Sequence, residues 1–200
     1  MDIAIIGAGA VGTTLGARFA AAGHRVVYGV RRPDDPKYAP LACVMSVADA
    51  VAAADLIVLA TPWAGAQEAL LAAGHFGGRI LVDAANPIGP GMVLVVGTTD
   101  SGGEQVARWA AGARVVKAFN TIGREVMAAP RFDGGDAVLW LCGDDLEACE
   151  QVAGLARDIG FAPVRLGPLA RARATEPAAL VWITATASLG RDFAWGILRR

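Results

Sequence analysis

Three glycines, Gly7, Gly9 and Gly12, follow the apolar run Asp2–Ile6 directly and stand at the head of an alanine-rich segment, in the stretch MDIAIIGAGAVGTTLGARFAAAGH. A strand, a glycine turn and a helix in that order form the first half of a β-α-β unit, and a second apolar run, Arg25–Val30, completes it. Each glycine has its own reason. Gly7 permits the tight turn. Gly9 leaves no side chain where a pyrophosphate must approach the backbone. Gly12, helped by Gly16, lets the helix lie close on the strand. The start of that helix, Ala10 and Val11 included, offers unpaired N–H groups and a partial positive charge to an anion.

The same alternation continues along the chain. Further strands are expected at Leu41–Met45, Asp55–Ala60, Arg79–Asp83, Arg114–Phe119, Ala137–Cys142 and Ala162–Leu166. Helices are expected at Ala10–Ala22, Val47–Ala54, Ala64–Ala73, Glu104–Ala111, Ile122–Ala129 and Leu146–Ile159, with Ser46/Asp49 and Asp144/Glu147 as capping pairs. Runs such as LIVLA and ILV are apolar at every position, which implies burial on both faces and a parallel sheet covered by helices. The expected fold is therefore an α/β, doubly wound parallel sheet of the Rossmann, NAD(P)-binding kind. Residues 1–168 make up this domain, and 169–200 form a short C-terminal helical extension. Its helix is expected over Ala172–Leu198, with Leu180, Ile183 and Ala187 on one side and Trp182, Thr186, Leu189 and Phe193 on another. Two apolar faces ask for two covering surfaces, the sheet domain and a second copy of the chain, so a homodimer is expected. The Pro- and Gly-rich stretch Asn86–Gly103 reads as a binding loop.

Composition narrows the function. With 200 residues, 54% hydrophobic and 18% charged, the chain can fill one core. The uncharged run Pro177–Gly190 is too short and too rich in Ser and Thr to cross a bilayer, and no secretory prefix precedes the first strand, so a cytoplasmic location is expected. A net charge of −1 offers no footprint for nucleic acid or an acidic membrane. Cys43, Cys142 and Cys149 form no metal-binding or redox spacing and read as reduced core thiols. Small-molecule redox cofactors are the expected partners.

Where an NAD site would carry an acid at the end of the second strand, this chain has Gly29, Val30, Arg31 and Arg32. Gly29 leaves room there, and Arg31 and Arg32 suit the 2′-phosphate of NADP(H), with Lys37 a lesser third charge. Three further strand ends carry unusual residues: Thr61, Pro62 and Trp63 in LATPW; Asn86 and Pro87 in AANP; and Ala118, Asn120 and Thr121 in VVKAFNT. Ligands in such sheets lie across these ends. Lys117 is expected to face solvent, and His24 and His75 to sit in turns. No acid pair, nucleophile triad or metal cluster accompanies the tips, so no catalytic side chain is assigned. Hydride transfer between two ring cofactors needs alignment more than acid-base groups. The small Ala118 and Gly123 would let a second ring approach.

The blocks IIGAGAVG, GVRR, TPW, VVKAFNTIG, LCGDD and ATEPAALVWI…GRDFAWGILRR together resemble, along nearly the whole chain, the NADP-dependent oxidoreductases of the deazaflavin coenzyme F-420. They are also similar to the NADPH-binding domain of membrane ferric reductases. The resemblance implies a pyrophosphate at Gly9–Gly12, a 2′-phosphate at Arg31 and Arg32, and a nicotinamide near Thr61, Pro62, Trp63, Asn86, Ala118 and Asn120. It further implies pro-S hydride transfer to a ring beside Asn120, Thr121 and the C-terminal helix. In deazaflavin-reducing members a histidine precedes the threonine; here Asn120 stands there, and the acceptor stays open between coenzyme F-420 and FMN or FAD. Two other readings are compatible with the residues: a β-hydroxyacid dehydrogenase-like reductase of a small carbonyl or imine, and an NADPH sensor without catalysis. Against the first, only about thirty residues follow the sheet domain, where such enzymes carry a helical domain of a hundred or more.

Overall fold

The alternation of apolar runs and alanine-rich segments becomes, in a computed structural model describing residues 1–198 and 200, a sheet covered by helices on both faces. In chain order the elements begin β1 (Asp2–Ile6), α1 (Ala10–Ala21), β2 (Arg25–Gly29), β3 (Val44–Met45), α2 (Val47–Ala52), β4 (Leu56–Leu59), α3 (Trp63–Ala73) and β5 (Ile80–Asp83). A small hairpin, β6 (Ile88–Gly89) and β7 (Val93–Leu94), precedes α4 (Gly102–Trp109), β8 (Arg114–Lys117) and α5 (Arg124–Ala128). A second ribbon, β9 (Arg131–Phe132) and β10 (Gly135–Asp136), leads to β11 (Val138–Gly143), α6 (Leu146–Asp158), β12 (Ala162–Arg165) and α7 (Ala172–Leu189).

The main sheet has the strand order β12-β11-β8-β5-β4-β1-β2-β3. Alternate residues of one strand serve two cores, as full burial requires. Ile3 and Ile5 pack with Leu15 and Phe19 of α1, while Ala4 and Ile6 pack with Val47 of α2 and Leu70 of α3. The chain builds outward from β1 to β2 and β3, then crosses back to β4, so the order reverses between β1 and β4. That reversal opens a crevice at the carboxyl ends of the strands.

The fold departs from expectation at several points. β11 is antiparallel to β8, joined only through Cys142↔Lys117 and Gly143↔Val116, before the two strands diverge. Phe119, just past β8, has φ +62 and drives its ring edge-on between Phe19 and Phe161, which turns the strand end out of the sheet. α7 stops at Leu189, not Leu198, because Gly190 (φ +72) reverses the chain. Phe193 then folds back and stacks on Trp182 at 5.2 Å, so the two rings meet across a turn and not along one helix. A single face of α7 is buried, made of Ala172, Thr175, Glu176, Ala179 and Trp182; Ala187 and Leu189 are exposed.

Local details differ as well. Asp145, not Asp144, caps α6 by accepting the Ala148 N–H at 2.8 Å, and Asp144 instead accepts the Leu169 N–H at 2.9 Å. Ser46 caps α2 as expected, through the Asp49 N–H at 3.2 Å. Cys142 and Cys149 are buried, but Cys43 is half-buried beside β3 and is not a core thiol. Burial pushes the Cys142 thiol up to about 12, so it stays protonated and inert. No helix among the described residues is long and apolar enough to cross a membrane.

Candidate functional site

A cleft of about 800 Å³ lies at the reversal point between β1 and β4. Its floor is the glycine turn. Gly7 takes φ +103, and a Cβ there would press on the Ala60 carbonyl oxygen at 2.8 Å. A side chain at Gly12 would run into the Gly7 carbonyl, so the turn and the helix start are locked together. Gly9 differs: it faces the cleft, and a Cβ would meet nothing within 4 Å. Its missing side chain is therefore unexplained by protein packing. That is the space a pyrophosphate needs above the N-terminus of α1.

One wall holds Val30, Arg31, Lys37, Tyr38, Pro40 and Leu41. Arg31 sits 3.6 Å from Glu68 across the cleft, both side chains largely exposed. Lys37 is steered by Asp35, which it meets at 2.9 Å, and lies over the Tyr38 ring. Arg32 points to solvent and does not line the cleft. The cationic pair on the rim is thus Arg31 with Lys37. Gly29 lines the cleft and has a packing reason as well: a Cβ there would crowd Ala50 at 3.0 Å and Val47 at 3.2 Å of α2.

Of the remaining strand tips, Thr61 and Pro62 line the cleft. Trp63 instead leans on Trp109 of α4 at 5.2 Å, on the outer face. Asn86 and Asn120 meet each other: Asn86 Nδ2 donates to the Asn120 carbonyl at 2.7 Å, and Asn120 Nδ2 donates to Asn86 Oδ1 at 3.1 Å and to the Thr175 carbonyl at 3.2 Å. Pro87, Ala118, Asn120 and Thr121 are all buried. Gly123 is covered by the Trp182 indole, so Ala118 and Gly123 do not present the open surface for a second ring that their size suggested.

Beneath these tips lies a cluster that the sequence reading did not foresee. Lys117 is wholly buried, not solvent-facing; its Nζ donates to Asp83 Oδ2 (2.9 Å) and to the Ala85 carbonyl (2.6 Å), and pairs with Glu176 Oε1 (2.9 Å). The other duties of both acids are backbone caps. Asp83 accepts the Ala85 N–H, and Glu176 accepts the Gly102 and Gly103 N–H groups at the head of α4, each at 2.9 Å. Burial, the largest single influence, pulls the Lys117 ammonium down, but the two carboxylates together outweigh it and hold it above its ordinary value. A signal did exist: Asp83 and Lys117 are paired in the β5–β8 register, each a charge that ends an apolar stretch, ILV and VV. Lys117 is thereby fully engaged and is no free proton donor.

Near the tip of β8 the remaining acid is Glu125. Arg191, bonded to Glu125 Oε1 at 3.0 Å, holds the carboxyl at about 2, so it is a carboxylate at neutral pH. A separate hollow of about 420 Å³ beside Gly160 involves Arg18, but Arg18 Nη2 there caps the Ile159 carbonyl at 2.9 Å.

A glycine turn at the reversal of a doubly wound sheet, with cations past β2 and neutral strand tips, defines an NADP-dependent oxidoreductase. Comparison with known proteins agrees. The family described as NADP oxidoreductase, coenzyme F420-dependent, matches residues 2–87. A crystal structure from Arthrobacter sp. FB24, assigned as an F420-dependent NADP reductase, is 36% identical, covers 98% of this chain and 99% of its own, and superposes with a TM-score of 0.91. The chain belongs to this family of NADP oxidoreductases. It is also 34% identical over 176 residues to metalloreductase STEAP3 of Rattus norvegicus, covering 87% of this chain but 35% of that protein, so it spans about a third of the curated relative. A reductive aminase of Aspergillus terreus in complex with NADPH and ethyl levulinate shares the fold at 20% identity, with a TM-score of 0.69 over 94% of this chain and 61% of its own.

Proposed function

We infer that this oxidoreductase passes the pro-S hydride of NADPH directly to the planar ring of a deazaflavin or flavin, with the 2′-phosphate held between Arg31 and Lys37. One observation carries the reading: among the described residues, the tips of β4, β5 and β8 offer only neutral Thr61, Asn86, Asn120 and Thr121, while each ionisable neighbour is committed. Lys117 is saturated, and Glu125 stays ionised. Reduction of a carbonyl or imine asks for a positioned proton donor. A ring acceptor takes the hydride pair at a ring atom and its proton from water, so the protein has only to stack and align the two rings at about 3.5 Å.

The residues present fit the dinucleotide. Gly9 clears the pyrophosphate, α1 offers its free N–H groups, and Tyr38, Pro40 and Leu41 supply flat and apolar surface for adenine. The test is to mix the chain with NADPH and either coenzyme F420 or FMN and follow NADPH absorbance. Oxidation with a ring acceptor, and none with small ketones or imines, is expected. Tight NADPH binding without turnover on any ring would instead mean a sensor.

A further inference from the structure

The stretch Gly190–Leu198 has neither helix nor strand of its own, yet it covers the tip of β8. β8 and β11 pair only at one end, and Trp195 fills the gap between them. The Trp195 carbonyl accepts the Val138 N–H at 2.9 Å, and its indole Nε1 donates to the Thr121 carbonyl at 3.1 Å. Phe193 stacks on Trp182 and accepts that indole's N–H at 3.0 Å. Arg191 reaches Glu125 and lies 5.3 Å over the Trp182 ring.

Three side-chain atoms near the tip of β8 are sealed without a partner: Asn120 Oδ1, beneath α7, and Thr121 Oγ1 and Glu125 Oε2, whose residues the strap bonds directly. Buried polar atoms are bonded as a rule, and three exceptions at one strand end need a reason. Thr121 is 1% exposed beneath the Trp195 indole, which bonds its carbonyl. The cover itself is lightly held. Its residues are half-buried or exposed, and its pivot, Gly190, has φ +72 with open space around its Cβ position. Such a segment belongs to the low-stability end of a fold.

We propose that Gly190–Leu198 is a gate: Phe193 and Trp195 rest where the planar acceptor enters, and lifting the strap uncovers Thr121 and Glu125 for it. The Glu125 carboxylate oxygen can only accept a hydrogen bond and the Thr121 hydroxyl is able to, so they suit a ring that presents an N–H edge, as the imide of a flavin or deazaflavin does. The inference rests on the ring-acceptor reading above.

Two measurements on the whole chain test it. Hydrogen exchange of the Val138 amide should proceed by local opening, well ahead of the Val116 amide in β8. Exchange of Val138 only through global unfolding would overturn the gate. In addition, Trp195→Ala should lower KM for FMN or coenzyme F420 by about tenfold, as removal of a closed state populated about nine parts in ten requires, and leave KM for NADPH unchanged. An unchanged or higher acceptor KM in the folded variant would also overturn it. If neither protein oxidises NADPH with either ring while Val138 opens locally, the acceptor reading fails and the movable strap stands.

Discussion

Arg31 and Lys37 hold the rim of the cleft from opposite ends of one loop, and each already has an acidic neighbour, Glu68 and Asp35. A phosphate between them would replace weak, exposed pairings with charge-assisted hydrogen bonds. Replacing both with alanine should weaken NADPH severalfold, the modest size expected of solvent-screened charges, and leave NADH almost untouched. Arg32→Ala alone should change little. Titration calorimetry with both dinucleotides decides this, and equal losses for the two would remove the phosphate assignment. The turn glycines separate fold from ligand in the same way. Gly9→Ala adds a methyl group to open space in an extended backbone (φ −83), so the protein should melt near its normal temperature yet bind neither dinucleotide well. Gly12→Ala forces the helix start off the strand and should lower the melting temperature itself.

The Lys117 cluster joins β5, β8 and α7 through one ammonium, and α4 through Glu176. Lys117→Met would leave the Asp83 and Glu176 carboxylates buried without a counter-charge and should cost about 3–5 kcal/mol of stability in urea titrations. Because the folded Lys117 titrates above its ordinary value of 10.5, its contribution is present below that pH and is lost as pH rises through the folded value. The strap answers to acid instead. Glu125 is held near 2 by Arg191, against an ordinary 4.5, so its contribution is present above about pH 4.5 and fades as pH falls toward 2. Urea midpoints taken across that window should decline, and Arg191→Ala should flatten part of the decline. A remainder will persist, since Asp100, bonded to Arg108 at 2.6 Å, is likewise held at about 2.

For the molecule as a whole, ligand binding is folding free energy. NADPH at a hundred times its dissociation constant should add about 2.7 kcal/mol, roughly 5–10 °C in melting temperature for a chain of this size. NADH at the same concentration should add clearly less, and a thermal melt with each dinucleotide checks both values. Much of this architecture is legible in the chain. The strand and helix order, the burial of β1, β4 and β5 on both faces and the turn at Gly7–Gly12 all follow from spacing over a few residues, where side-chain period and backbone sterics act locally. Other features join residues far apart. The Lys117–Glu176 pairing, the presence of Lys37 and not Arg32 on the cleft wall, the diverging β8 and β11, and the return of Phe193 onto Trp182 depend on which surfaces meet once the sheet has formed. Local pattern determined what kind of protein this is. Only the packed tertiary structure decided which charges line the cleft and what covers the tip of β8, because burial and partnering are properties of the assembled core and not of any segment alone.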